Sequence, residues 1–202
     1  MDLILVRHGQ TAWNAHYKTQ GKTDIPLDEA GRLQAKLVAL RLAGMNFDAV
    51  YTSPLLRARE TALEIAAPHK LPVRNHPLLA ERDFGIWEGE EFPELLKKYP
   101  EDVRRWQEDP FAFTPKDAES LQSVYERCLA FLGELRARHG DDENVLVVGH
   151  SIPLRLIVAH AIGLPIQRLH SLRMDNAAYT RVRLGDTYNV LLVLNDTGHF
   201  EG

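Results

Sequence analysis

The sequence predicts an α/β protein with a mostly parallel central sheet, on three observations. Two apolar runs, Leu3-Ile4-Leu5-Val6 and Val145-Leu146-Val147-Val148, have the unbroken hydrophobicity of strands covered on both faces. Stretches of helical period alternate with strand-like runs, the β-α-β rhythm of a parallel sheet. Chemistry-bearing residues follow the strands at once, as Arg7-His8-Gly9 and Gly149-His150-Ser151.

Residues 2–7 read as the first strand and 8–26 as an irregular loop punctuated by Gly9, Gly21 and Pro26. Asp28 is placed to cap a helix in which Leu33, Leu37 and Leu40 repeat at helical spacing as far as Gly44. Residues 48–52 form a short strand. Ser53-Pro54 then predicts a serine cap and a proline at the first helical position, opening a helix to about Ala67 with Arg57 near its start. A further short strand is expected within 73–79. From about 84 to 118, aromatics alternate with acidic clusters and prolines; short helices over 91–108 and a loop to 118 are predicted as a cap over a site.

Leu121, Val124, Tyr125, Cys128, Phe131, Leu132 and Leu135 form the strongest helical stripe in the chain. A buried strand over 144–148, a helix from about Pro153 to Ile162, and two strands near 178–184 and 189–195 complete the sheet.

The 202 residues are 45% hydrophobic and 26% charged, enough for one core, so a single domain over 1–202 is predicted. A net charge of −4 offers no general attraction to nucleic acid or to a membrane surface, which leaves a small molecule as the expected partner. The lone cysteine, Cys128, excludes an intrachain disulfide and fits a cytoplasmic location. The apolar residues before Arg7 are too few for a signal or membrane segment. Monomer and homodimer are equally compatible with the sequence.

Arg7-His8, Arg57 and His150 all fall at or just beyond C-terminal ends of parallel-type strands, where open α/β sheets bind ligands. Two guanidinium forks and helix N-termini suit a phosphoryl group. A histidine nucleophile must be neutral, which neighbouring cations favour, and a carbonyl in the Gly9 turn is a fitting holder for its second nitrogen. His150 would bind a phosphoryl oxygen. Glu81 is the chosen general acid, a carboxyl among apolar and aromatic neighbours, with Asp83 and Glu88 in reserve.

Four blocks carry a resemblance: Arg7-His8-Gly9 with Thr11 and Trp13-Asn14; Ser53-Pro54-Leu55 with Arg57-Ala58 and Thr61-Ala62; Glu81 before Phe84-Gly85-Ile86-Trp87-Glu88-Gly89; and Val147-Val148-Gly149-His150. In this order they resemble the histidine phosphatase (phosphoglycerate mutase-like) superfamily. The resemblance implies a three-layer α/β/α fold and a phosphomonoesterase without metal or other cofactor. It implies that His8 is phosphorylated, that Arg7, Arg57 and His150 complete the phosphate pocket, that Glu81 donates the proton, and that Asn14, Gln20 and Gly21 contact phosphate or substrate. Ser151, following His150, is grouped with the phosphate-binding residues. The block after Glu81 looks like the phosphatase form rather than the mutase form. Pro115 to Ser120 also resembles phosphatase members but has no glycine before Glu119. Chain length and the stretch from Trp106 to Ser120 look like α-ribazole phosphatase, which makes α-ribazole 5′-phosphate the implied substrate; Trp87, Trp106, Phe111 and Phe113 are candidates to stack on its base.

Competing readings account for less. No His-x-His or His-Glu-x-x-His pair occurs, and two arginines would repel a metal cation. Gly149-His150-Ser151-Ile152-Pro153 approaches a nucleophilic-serine elbow, but its fifth position is proline and the reading leaves Arg7, His8 and Arg57 unexplained. A cofactor-dependent mutase, or a phosphate-binding module without turnover, remains as the alternative. Arg82, Arg127 and the other histidines are expected to be structural or solvated.

Overall fold

The computed structural model describes residues 1–200. Strands β1 (Asp2–Arg7), β2 (Ala49–Thr52), β3 (Val73–Asn75), β4 (Asn144–Gly149), β5 (Tyr179–Arg183) and β6 (Val190–Asp196) form one sheet in the order β3-β2-β4-β1-β5-β6. The pairs β1–β4, β2–β4 and β2–β3 are parallel, whereas β5 runs antiparallel to both β1 and β6. The sheet is therefore mostly parallel, as predicted, with an antiparallel edge.

Alternation along the central strands makes three layers. Leu3 and Leu5 of β1, with Val145 and Val147 of β4, join one apolar cluster with α6 (Leu121–Arg138) and α7 (Ser151–Ala161). Ile4, Val6, Leu146 and Val148 point the other way, into a second cluster with α2 (Glu29–Leu42) and α3 (Leu56–Ala66). β1 and β4 are neighbours, yet α2, which follows β1 after the short helix α1 (Ala12–Ala15), and α7, which follows β4, cover opposite faces. That divergence opens a crevice beyond Arg7 and Gly149, which are register partners.

The local signals explain most elements. Asp28 caps α2 by accepting the Gly31 N–H at 2.7 Å, and Ser120 caps α6 by accepting from Ser123. The cap region holds α4 (Phe92–Lys98) and α5 (Pro100–Glu108), with a small core of Trp87, Leu95, Val103 and Phe113. The turn before Glu119 closes without a glycine because Asp117 takes the left-handed conformation, φ 61°.

Three expectations are corrected. The α2 stripe faces outward: Leu33 and Leu40 are exposed, while Gly31, Ala35, Val38, Ala39 and Leu42 are buried. Small residues let α2 approach its neighbours, and a Cβ on Gly31 would sit 2.0 Å from the Gln10 carbonyl oxygen. Ser53 does not cap α3, whose N-cap is Leu55 and whose Leu56 N–H donates to Asp24 instead. Helix α7 starts at Ser151, two residues before Pro153, with His150 as its N-cap.

Candidate active site

His8 continues β1 by one residue, its N–H donating to the Gly149 carbonyl at 3.0 Å. Its carbonyl accepts from Asn176 Nδ2 at 3.0 Å, which fixes the backbone from the far side. The ring is turned back so that Nδ1 lies 2.7 Å from the Gly9 carbonyl oxygen. A carbonyl only accepts, so Nδ1 carries the proton and Nε2 keeps the lone pair. The Gly9 N–H donates to Thr61 Oγ1, and that hydroxyl donates to the Arg57 carbonyl, tying the His8 turn to α3.

His150 comes from β4 to the same place. Its ring centroid is 5.1 Å from that of His8, and its Nε2 lies 2.7 Å from Ser53 Oγ. Arg57 is fully buried and held by the carbonyls of Gly21 and Thr23, at 2.7 and 3.0 Å. Arg7 donates from Nη1 to the Met174 carbonyl at 2.7 Å. Asn14 Oδ1 accepts from the Thr11 N–H and from Asn176, while Gln20 Oε1 accepts from the Thr11 hydroxyl.

A cleft of about 270 Å³ opens here, lined by Arg7, Asn14, Gln20, Glu81 and Ser151 and roofed by the aromatics Phe84, Trp87, Phe92 and Trp106. Glu81 is buried, its Oε1 accepting the Arg82 N–H at 2.8 Å. The reserve carboxylates are otherwise engaged. Glu88 braces the 22–23 loop by accepting from Lys22, Thr23 and Phe84, and Asp83 accepts from Gly85. Gly21 does not line the cleft; it acts through its carbonyl on Arg57, and a Cβ there would collide with Glu88. Of the proposed stacking aromatics, Phe113 lies in the cap core and Phe111 packs on the main core, so neither is on the cleft wall.

Electrostatics separate the titratable groups. Burial, then Arg57 and Arg7, push His8 well below the usual imidazole range, and burial with Arg57 does the same to His150. Both rings are neutral at pH 7. Burial raises the Glu81 carboxyl against the opposing pull of Arg57, Arg7 and Arg127. Arg7 is lowered by burial to about 10, still cationic at neutral pH.

Arg7 Nε, Gln20 Nε2, Arg57 Nε and His150 Nδ1, with Trp87 Nε1 on the cleft wall, are buried side-chain nitrogens with no hydrogen-bond partner among the described residues. Each arginine or amide donor left unpaired costs roughly 1–3 kcal/mol. An anion with several acceptor oxygens would pair them together, which is what a phosphoryl group supplies. Among the described residues, no cluster of three or more His, Cys, Asp or Glu could hold a metal ion. No described helix is long and apolar enough to cross a membrane.

The neutral pair has a consequence for stability. An unfolded chain protonates histidine as pH falls through about 6.5, while the folded His8 and His150 resist protonation. Stability is therefore lost on acidification, with a limiting slope of about 1.4 kcal/mol per pH unit for each histidine. Glu81, raised in the fold, contributes with the opposite sign. Urea unfolding between pH 7.5 and 5.5 should show His8→Gln losing less stability over that interval than the wild type.

Sequence reasoning missed Asn176, and it gave neither Thr61 nor Ser53 a role in the site. Asn176 follows an Asp and precedes an alanine pair with no motif-like spacing, so its contact with His8 appears only in three dimensions.

The chain is similar to known phosphatases. Residues 3–197 match the histidine phosphatase superfamily (branch 1). The chain is 42% identical to phosphoserine phosphatase 1 of Hydrogenobacter thermophilus over 98% of its own length and 93% of that protein's. It is 32% identical to the adenosylcobalamin/alpha-ribazole phosphatase of Escherichia coli over 96% of each chain. The crystal structure of a putative alpha-ribazole-5′-P phosphatase from E. coli superposes with a TM-score of 0.89 at 32% identity, covering 97% of this chain and 96% of that one. The chain belongs to branch 1 of the histidine phosphatase superfamily and is a phosphomonoesterase of that family.

Proposed function

We propose that the chain hydrolyses a compact phosphomonoester in two steps through a phosphohistidine at His8. The carrying observation is the unpaired buried donors of Arg7, Gln20 and Arg57 beside a neutral imidazole whose Nδ1 is committed to Gly9. In the first step Nε2 attacks phosphorus and the bond to the substrate oxygen breaks. Glu81, whose carboxyl burial shifts upward toward its protonated form, gives its proton to the departing alkoxide. In the second step the Glu81 carboxylate takes a proton from water, whose oxygen attacks phosphorus. The N–P bond breaks, and His8 and phosphate are released. Arg7, Arg57 and His150 hold the phosphoryl oxygens throughout, with Asn14, Gln20 and the Ser151 end of α7 beside them.

On the substrate side, Lys18 lines the cleft, and among the described residues its ammonium has no carboxylate within ion-pair distance. That favours a substrate bearing a second anionic group, and the name of the Hydrogenobacter relative supplies phosphoserine. Trp106 and Trp87 on the wall support the second reading, α-ribazole 5′-phosphate, the substrate in the name of the E. coli relative. A panel of phosphoserine, 3-phosphoglycerate and α-ribazole 5′-phosphate tests the choice. Lys18→Met is expected to raise KM about threefold to fivefold for phosphoserine and leave p-nitrophenyl phosphate nearly unchanged. A higher kcat/KM for α-ribazole 5′-phosphate with no effect of Lys18→Met would select the second reading. Isomerisation of 3-phosphoglycerate dependent on 2,3-bisphosphoglycerate would contradict both.

A further inference from the structure

Ser53 follows β2 directly with its side chain fully buried, and its hydroxyl has two partners. The Leu55 N–H donates to Oγ at 3.2 Å, and His150 Nε2 lies 2.7 Å away. The hydroxyl has one proton to place. If Nε2 carried a hydrogen, it would donate to Oγ, and the serine proton would be left without an acceptor among the described residues. His150 Nδ1 would then present a lone pair to the phosphoryl group, repelling its oxygens. If Ser53 donates to Nε2, every group is used: Oγ accepts from Leu55 and donates to His150, and the proton of His150 resides on Nδ1. Nδ1 is the enclosed atom with no partner among the described residues, on a ring 5.1 Å from that of His8.

We infer that Ser53 is a positioning residue that fixes His150 as the Nδ1–H tautomer, turning a neutral imidazole into a hydrogen-bond donor for the transferring phosphoryl group. This rests on the proposed role of His150 as a phosphoryl ligand. Its physical content is that His150 need not be charged. A protonated ring would donate from either nitrogen, but burial beside Arg57 and His8 suppresses protonation, so the side on which the single hydrogen sits decides whether the ring attracts or repels the phosphoryl oxygens. The Gly9 carbonyl sets the tautomer of His8 from Nδ1, leaving Nε2 free to attack; the Ser53 hydroxyl sets that of His150 from Nε2, leaving Nδ1 free to donate. Two rings of the same kind thus receive opposite tasks from opposite partners.

The direct test is long-range ¹H–¹⁵N NMR of the ¹⁵N-labelled wild-type protein at pH 7.5. His150 should show a protonated Nδ1 and an unprotonated, pyridine-like Nε2. The reverse pattern would overturn the inference, whatever any variant does. In kinetics on p-nitrophenyl phosphate, Ser53→Ala is expected to lose about 10²-fold in kcat, the scale of one lost transition-state donor, with KM changed less than threefold. Ser53→Thr, which keeps the hydroxyl, should recover most of the rate. Because Ser53 acts through His150, the Ser53→Ala/His150→Ala double variant should be no slower than His150→Ala alone. Losses that multiply in the double variant would contradict the inference. Full activity of His150→Ala or His8→Ala would instead remove the underlying reading of the site, and the two failures are thereby distinct.

Discussion

Replacing His8 with alanine is expected to abolish turnover, by about 10⁴-fold or more, on every phosphomonoester. The size of the effect follows from the geometry. Nδ1 is committed to the Gly9 carbonyl at 2.7 Å, the carbonyl of His8 is clamped by Asn176, and burial, aided by Arg57 and Arg7, keeps the ring neutral. No other nucleophile in the cleft has these properties. Ser151 lines it, but no base is hydrogen-bonded to its hydroxyl among the described residues. The loss should be equal for good and poor leaving groups, because both need the same attacking atom. Steady-state assays on p-nitrophenyl phosphate and an alkyl phosphate would show this, with circular dichroism to confirm that the variant folds.

Glu81→Gln should behave differently. The amide keeps the volume but has no acidic proton for the leaving alkoxide. Alkyl phosphates are expected to lose about 10²–10⁴-fold in kcat/KM, the usual worth of general acid catalysis, while p-nitrophenyl phosphate loses less than about tenfold. The pH profile gives a second readout. Burial holds the Glu81 carboxyl above the ordinary carboxylate range, so the protonated form persists as pH rises through the usual value and is lost above it. Activity on alkyl phosphates should therefore fall on the alkaline side of that raised value, and this limb should vanish in Glu81→Gln. Equal losses on both substrates would take Glu81 out of the acid role.

The parts of this picture visible in the sequence are those set by local patterns. β1, β4 and α6 are legible because their apolar runs and stripe are long and uninterrupted, and the meeting of Arg7-His8 with His150 is legible because they sit directly at the ends of neighbouring strands. What was not legible depends on close approach or on a partner distant in the chain. In α2 the leucines at 33 and 40 suggest a buried face, but the inward face is Gly31, Ala35, Val38, Ala39 and Leu42, and at Gly31 the Gln10 backbone is too close for any side chain. Ser53 looked like a helix cap because serine before proline commonly is one; its hydroxyl instead meets His150, 97 residues away. Phe113 looked available to a ligand until it proved to be needed by the core of the cap itself, where it packs against Trp87 with ring centroids 5.8 Å apart.

The phosphohistidine is the central claim, and rapid quenching with ³²P-labelled substrate reads it directly. Enzyme stopped within milliseconds should carry label that is acid-labile and base-stable, and proteolysis followed by mass spectrometry should place it on the peptide containing His8. His8→Ala should carry none. Label on Ser151, or turnover by the wild type with no trapped label and with inversion at phosphorus, the result of a single direct attack by water, would contradict the account.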